Sequence, residues 1–413
     1  MTRARKEASM KRTATLLVLL VALGALAAAA AAEGKGPAYT FTFSGYLKAD
    51  VAYDRARVSS GDYAIYVLDK VRNDLLSMTA RESRLGVDFS WKEGDVRTDG
   101  RFEFDFYGLG VSSASPTSQE NKAAPMLRHA YAQVTKGRWS LLAGQTSDII
   151  SPLVPKTVNY TVCWDQGNIG YRRPQVRVST WADATDKVKV NCAVGAFRNI
   201  GGDLDGDGVD DGADAAIPVV EGRLGLAAKL CDTRTLDVGV SGHYGREEYK
   251  ASDVEQDVDS WSANGDLRFV CKDRFEAAGE LFVGENLGTY YGGVGQTVNL
   301  DKKPIGARGG WGQLSYRPAK GLWLNIGYSV DDPDDEDFVL PEGTAGTKSF
   351  FDKNQDVFGS AMYDLTSTVT LMLEVSQLTT TYLYKEFVDD ALETSSKDFD
   401  DTRVQFALKA AIK

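Results

Sequence analysis

Histidine is almost missing from this 413-residue chain: His129 and His243 are the only two. No Gly-x-Ser-x-Gly elbow accompanies them, so the side chain best suited to acid–base work at neutral pH is scarce. A hydrolase would need His129 or His243 beside a serine or carboxylate at hydrogen-bond distance. Ser112 and Ser147 are the serines in question, and each also reads as an ordinary loop residue. Catalysis is therefore not expected. Four cysteines (Cys163, Cys192, Cys231 and Cys271) lie too far apart for metal-ligand spacing. They allow three disulfide pairings, among which the sequence does not choose. Cys192 and Cys271 fall on apolar positions, which favours small lipid-facing or interface residues. After the N-terminus no stretch approaches the ~18 uninterrupted apolar residues that a spanning helix needs. The mature chain therefore stays soluble or enters a membrane as strands.

The N-terminus reads as a secretory signal. Arg3, Arg5, Lys6, Lys11 and Arg12 precede an apolar core from Leu16 to Leu26, and an alanine run ends at Ala32. Cleavage there would open the mature chain at Glu33, giving residues 1–32 as signal and 33–413 as one domain. Met10 is an alternative start, and an uncleaved anchor is the competing reading. Removing five basic residues and one acidic residue takes the net charge from −11 to −15. A charge that negative excludes nucleic acid as an expected partner.

What the chain does have is one rhythm, repeated about sixteen times. In 403–413 the even positions Val404, Phe406, Leu408, Ala410 and Ile412 are apolar, and the odd positions include Arg403, Gln405, Lys409 and Lys413. A period of two makes a strand with one greasy and one wet face. The same pattern predicts strands at 39–53, 79–91, 99–107, 127–135, 138–146, 168–181, 187–198, 219–231, 234–247, 257–271, 274–285, 306–317, 321–331, 354–364, 367–383 and 398–413. Pro174 leaves open whether 168–181 is two strands. Tight connections alternate with long ones at 54–78, 108–126, 147–167, 199–218, 248–256, 286–305, 332–353 and 384–397. This is the pattern of an all-β, transmembrane, antiparallel up-and-down barrel of about sixteen strands. Short turns then face the periplasm, long loops face outward, and the expected location is the bacterial outer membrane, in contact with its lipid.

The phase of the alternation assigns charges to the lumen, because a charge on the lipid face costs about 2–4 kcal/mol at mid-membrane. The expected pore-lining set is Lys48, Asp50, Arg84, Asp88, Arg101, Glu103, Asp105, Arg173, Arg177, Arg223, Asp266, Arg268, Glu276, Glu280, Glu374 and Arg403. These either border water or form salt-bridge networks that fill a closed barrel. About sixteen strands enclose too wide a lumen for side chains to fill, which favours a channel for small hydrophilic solutes. At 127–135 the rhythm blurs, since Arg128 alternates with Ala130 and Ala132 while His129, Tyr131 and Gln133 occupy the other face. That is how a small-residue subunit contact would look.

Two long loops stand out. Residues 147–167 carry Ile149, Ile150, Leu153, Val154, Val158, Tyr160, Val162 and Trp164, an apolar set that must be buried somewhere. Folding into the barrel mouth would make 147–167 a constriction with Asp148, Lys156 and Asp165 at the eyelet. The alternative is a contact with a neighbouring subunit. Residues 203–214 space Asp203, Asp205, Asp207, Val209, Asp211 and Asp214 as calcium-loop positions 1, 3, 5, 7, 9 and 12, with Gly208 at the turn. A structural Ca2+ site is expected there, against the alternative of a solvated acidic loop.

The block Leu127-Arg128-His129-Ala130-Tyr131-Ala132-Gln133, a short turn, then Leu141-Leu142-Ala143-Gly144-Gln145-Thr146 and a proline-containing loop resembles the DcaP-like branch of trimeric bacterial porins. The opening FSGYLKADVAYD and the early Arg84 strand resemble the same group. The resemblance implies a sixteen-stranded homotrimer that passes small hydrophilic, often anionic, solutes past a constriction loop after the fifth strand. No long coiled-coil segment precedes the first strand, and the chain ends Ile412-Lys413, with Phe406 the nearest aromatic. The alternative function is a non-conducting structural or adhesive barrel that uses its long acidic loops for contact.

Overall fold

In the computed structural model the described residues are 38–59, 62–69, 73–108, 123–251, 254–389 and 391–412. The expected signal and Ser112 lie outside them.

The described residues form one closed antiparallel sheet. Its first strand, β1 (Ala38–Asp54), lies beside the last, β17 (Ala391–Ile412), and this pairing closes the ring. On its other side β1 meets β2 (Leu75–Thr79) and β3 (Arg84–Glu93) end to end. These two are one wall strand interrupted at 80–83, so the barrel has sixteen wall positions. The rest of the wall follows chain order: β4 (Val96–Gly108), β5 (Ala124–Lys136), β6 (Trp139–Ser147), β7 (Arg172–Thr185), β8 (Val188–Phe197), β9 (Val219–Cys231), β10 (Arg234–Ala251), β11 (Val254–Cys271), β12 (Phe275–Glu285), β13 (Gly306–Ala319), β14 (Leu322–Pro333), β15 (Lys348–Asp364) and β16 (Val369–Val388). Pro174 does not split β7. It sits at the strand's third position, pairs with Gln145, and its carbonyl accepts from the Arg198 amide at 2.8 Å.

Alternation decides which face is which. On β17, Val404, Phe406 and Leu408 are 40–45% exposed, while Arg403, Gln405 and Ala407 are 2% or less. The apolar residues therefore lie outside and the polar ones inside, the reverse of a soluble core and what a hydrocarbon solvent requires. Outward aromatics cluster near the turn end (Tyr39, Phe41, Phe43, Trp139, Tyr316, Tyr363) and near the loop end (Tyr53, Tyr244, Tyr328). Gly94 and Gly137 make the turns after β3 and β5 at φ +59°, where a side chain would be strained.

Three expectations about connections need correction. The segments expected as long loops at 248–256 and 384–397 are mostly strand, because β10–β11 and β16–β17 extend as ribbons beyond their neighbours. Their sequences lack apolar alternation, yet cross-strand bonds from Thr379 to Asp400 and Thr381 to Asp398, both 2.7 Å, support the ladder. The loop expected at 54–78 contains β2. The blurred register at 127–135 is a bulge: Glu103 pairs with His129 and Phe104 with Leu127, leaving Arg128 unpaired. The extra residue lets Arg128 and His129 both reach the lumen, so the mixed faces do not in themselves signal a subunit contact.

Candidate functional site

After β6 the chain turns into the barrel. Ile149 and Ile150 pack with Ile169, Phe197, Val219, Phe282, Leu287, Tyr290 and Ala307 in one buried cluster. Burying such side chains stabilises by about 1.5–3 kcal/mol each, which keeps an apolar loop inside. The loop then crosses the lumen, and its amides are taken up by wall side chains. Ile149 N–H donates to Glu221 (2.9 Å), Leu153 to Glu280 (2.7 Å), Lys156 to Gln313 (2.6 Å), and Val158 and Asn159 to the two oxygens of Glu374 (2.6 and 3.1 Å). The Lys48 ammonium and Ser360 hydroxyl donate to the carbonyls of Val158 and Lys156 at 2.9 and 3.1 Å. At Gly167, φ is +119° and a Cβ would strike the Gly310 and Val330 carbonyls, so glycine lets the loop touch the far wall. Segments 62–67 and 286–296 join it. Asn159 bonds both backbone groups of Ala64, and the Asp165 amide donates to Tyr291.

This inward loop divides the expected pore-lining residues into two groups. One group is consumed in holding structure. Arg173 is fully buried against Asp148 (3.1 Å), with its guanidinium 3.9 Å from the Tyr290 ring. Arg403 pairs with Asp54 at 2.8 Å, Lys48 pairs with Asp50 at 3.2 Å and with Glu82, and Glu276 holds Lys156 (3.0 Å) and Arg268 (3.0 Å). Glu280 and Glu374 are 3% and 2% exposed beneath the loop. The other group faces open space. Arg84, Arg177 and Arg223 line a cavity of about 500 Å³ between the β3–β9 wall and the loop edge Ile150–Val154. Arg223 also pairs with Asp266 at 2.7 Å. Asp88 and Arg101 pair with each other on the neighbouring wall at 3.1 Å. Of the expected eyelet residues, Asp148 is 6% exposed yet borders this cavity, Lys156 lies against Glu276 and the Trp323 ring, and Asp165 is 5% exposed under the loop.

Two arginines on this cavity escaped the sequence reading. Arg128, at the bulge, donates to Glu103 (3.1 Å), Asp105 (2.6 Å) and the Tyr160 hydroxyl (3.2 Å), tying the loop to the wall. Arg172 lies 5.5 Å from the Trp164 ring centre and 4.9 Å from that of Tyr171. Among the described residues no carboxylate pairs with Arg84, Arg172 or Arg177. Arg128 carried a signal, since two acids stand opposite a break in alternation. Arg172 carried only its place in Tyr171-Arg172-Arg173. Glu221, two residues before Arg223 on the same face, was also missed.

The acidic loop lies at the end of β10. Asp203, Asp205 and Asp207 bring one oxygen each to within 4.8 Å of one another. The Gly208 amide donates to Asp203 (3.2 Å), the Val209 amide to Asp207 (2.8 Å), and the Lys250 amide to Asp205 (2.8 Å). That last bond holds the Asp205 carboxyl below its ordinary range. Asp211 opens the short helix α1 (Asp211–Asp214), is fully buried and accepts from the Leu204 amide at 2.8 Å; burial raises its pKa. Asp211 and Asp214 are not part of the three-carboxylate group. The Val209 side chain is 44% exposed.

The histidines do meet hydroxyls. His243 lies 2.7 Å from Ser262 and 2.9 Å from Ser260, but all three are 5% exposed and the imidazole is stacked on Tyr290. His129 lies 2.9 Å from Thr146 and 3.9 Å from Glu103. Both arrangements satisfy hydrogen-bonding groups on the lumen face. The four cysteines are unpaired.

A closed antiparallel barrel of sixteen wall strands, with the loop after the fifth of them folded across the lumen, is a fold this chain shares with solved outer-membrane porins. The outer membrane channel DcaP of Acinetobacter baumannii superposes with a TM-score of 0.66 at 19% identity, over 91% of this chain and 97% of that one. An anion-selective porin from Comamonas acidovorans (TM-score 0.54, 12% identity, 91% and 100%) and the trimer form of OmpT from Vibrio cholerae (0.53, 12%, 91% and 100%) share the architecture. No family model and no curated sequence matches the chain.

Proposed function

We propose that the protein is a passive diffusion porin of the bacterial outer membrane with a preference for small hydrophilic anions. The observation that carries this reading is the Arg84–Arg128–Arg172–Arg177–Arg223 wall around one cavity, three of whose members lack a carboxylate partner among the described residues. Fixed positive charge beside a low-dielectric loop edge concentrates anions and repels cations. The location is supported by the apolar exterior with its aromatic girdles and by the shared fold. That one of the similar structures is an anion-selective porin supports the same solute class. Purified protein in planar bilayers tests the proposal: open-channel current with an anion-favouring zero-current potential is expected, and well-folded protein that carries no current overturns it.

A homotrimer is proposed with it. Small outward residues Ala130, Ala132 and Ala143 make a flat face on β5–β6, and one of the similar structures is a trimer. Mass measurement in mild detergent decides this. The acidic loop is proposed to bind a structural calcium ion through Asp203, Asp205 and Asp207, with the Asp203–Gly208 bond closing the turn. Calcium titration by calorimetry tests it, with no heat change as the contrary result.

A further inference from the structure

β16 and β17 continue as a ribbon past their last wall partner. β1 pairs with β17 only from Gly45–Ile412 to Asp54–Arg403, whereas β16 pairs with it as far as Val388–Ala391. Asp401 then accepts the amides of Arg55 (2.7 Å) and Ala56 (2.8 Å), where the chain leaves the wall. Residues 391–400 are left with one neighbouring strand, and among the described residues nothing pairs with their other edge. Such an edge presents about 33 Å of alternating unpaired N–H and C=O groups, at ~3.3 Å per residue.

The second ribbon is treated differently. β9 pairs with β10 no further than Val220–Tyr244, but the remaining edge is covered. Asn199 donates to the Arg246 carbonyl, and Asp205 accepts the Lys250 amide. The overhanging edge of β10 is thus shielded, whereas that of 391–400 is bare among the described residues.

The bare edge is acidic. Glu393, Asp398 and Asp400 outnumber Lys397, and Glu386 stands directly across from Glu393. Beside it lies a groove of about 650 Å³ lined by Asp69, Tyr384, Glu386, Glu393, Lys397 and Phe399. Two copies pairing antiparallel about Ser395 would set Glu393 against Lys397 on one face but leave Asp398 opposite Leu392, with no counter-charge on the other. A strand carrying cations on alternate positions meets complementary charge, and the groove beside two aromatic rings accepts its side chains. We infer that Ala391–Asp400 is a strand-addition site for an extended, basic segment of another polypeptide, on the long-loop side of the barrel.

Hydrogen exchange on the full-length protein in detergent tests this, with a short peptide of alternating threonine and lysine as probe. Slowed exchange confined to 391–400 is expected with that peptide and not with an alternating threonine–glutamate peptide. Glu393→Lys/Asp398→Lys should weaken the lysine peptide by about ten-fold while leaving heat-modifiable gel mobility unchanged. No protection, or equal protection by the acidic peptide, overturns the proposal. So does an edge already protected in the pure protein, which would assign it to a second copy.

Discussion

The two sides of the lumen use charge in opposite ways. From β12 round to β1 the wall offers acceptors (Glu280, Gln313 and Glu374), and each is occupied by a backbone amide of the inward loop. From β3 to β9 the wall offers Arg84, Arg128, Arg172, Arg177 and Arg223 to a cavity. A carboxylate that accepts two amides settles where a loop lies, and a guanidinium without a carboxylate is left for what passes. One wall builds the constriction and the other gives it a sign.

The sharpest way to break this contrast is at the point where the two functions touch. Arg128→Ala would leave Glu103 and Asp105 buried without their partner, and should cost about 3–5 kcal/mol of barrel stability. The gel-shift temperature in detergent measures it, and Arg128→Lys should recover only part, since one ammonium cannot bond both acids and Tyr160 as a guanidinium does. Glu374→Ala comes next. It strands the amides of Val158 and Asn159, at about 1–3 kcal/mol each, and should loosen the loop rather than the barrel. Single-channel recordings should then show larger or noisier conductance at an unchanged melting point; a quiet, unchanged channel would mean the loop is held elsewhere. Arg177→Glu should leave stability nearly untouched and move the zero-current potential toward cations by a few-fold in permeability ratio. The smallest effect belongs to Asp205. Its carboxyl is held below the ordinary range, so its contribution is present at neutral pH and lost as pH falls through that depressed value. Protection of the Lys250 amide against exchange should fall only in acid, and in Asp205→Asn it should already be lower at neutral pH.

How much of this was legible beforehand follows from the range of each interaction. The phase of alternation needs only neighbours two residues apart, so it identified the ring of strands and the inward face of Lys48, Glu374 and Arg403. It could not separate Arg173, sealed against Asp148, from Arg177, which lines the cavity four residues on. That difference depends on a loop arriving from elsewhere. Arg128 was misread because a one-residue bulge inverts the phase at that point. The ribbon at 384–397 reads as a loop because its cross-strand pairs, such as Lys385–Thr394 and Glu386–Glu393, are polar and carry no apolar period.

The central claim is that the cavity's sign is set by unpaired arginines. The zero-current potential of the unmodified protein in a planar bilayer, under a steep KCl gradient, tests it most directly. A potential on the chloride side, collapsing in Arg84→Glu/Arg177→Glu, is the predicted result. A cation-selective channel whose potential ignores both substitutions would contradict it.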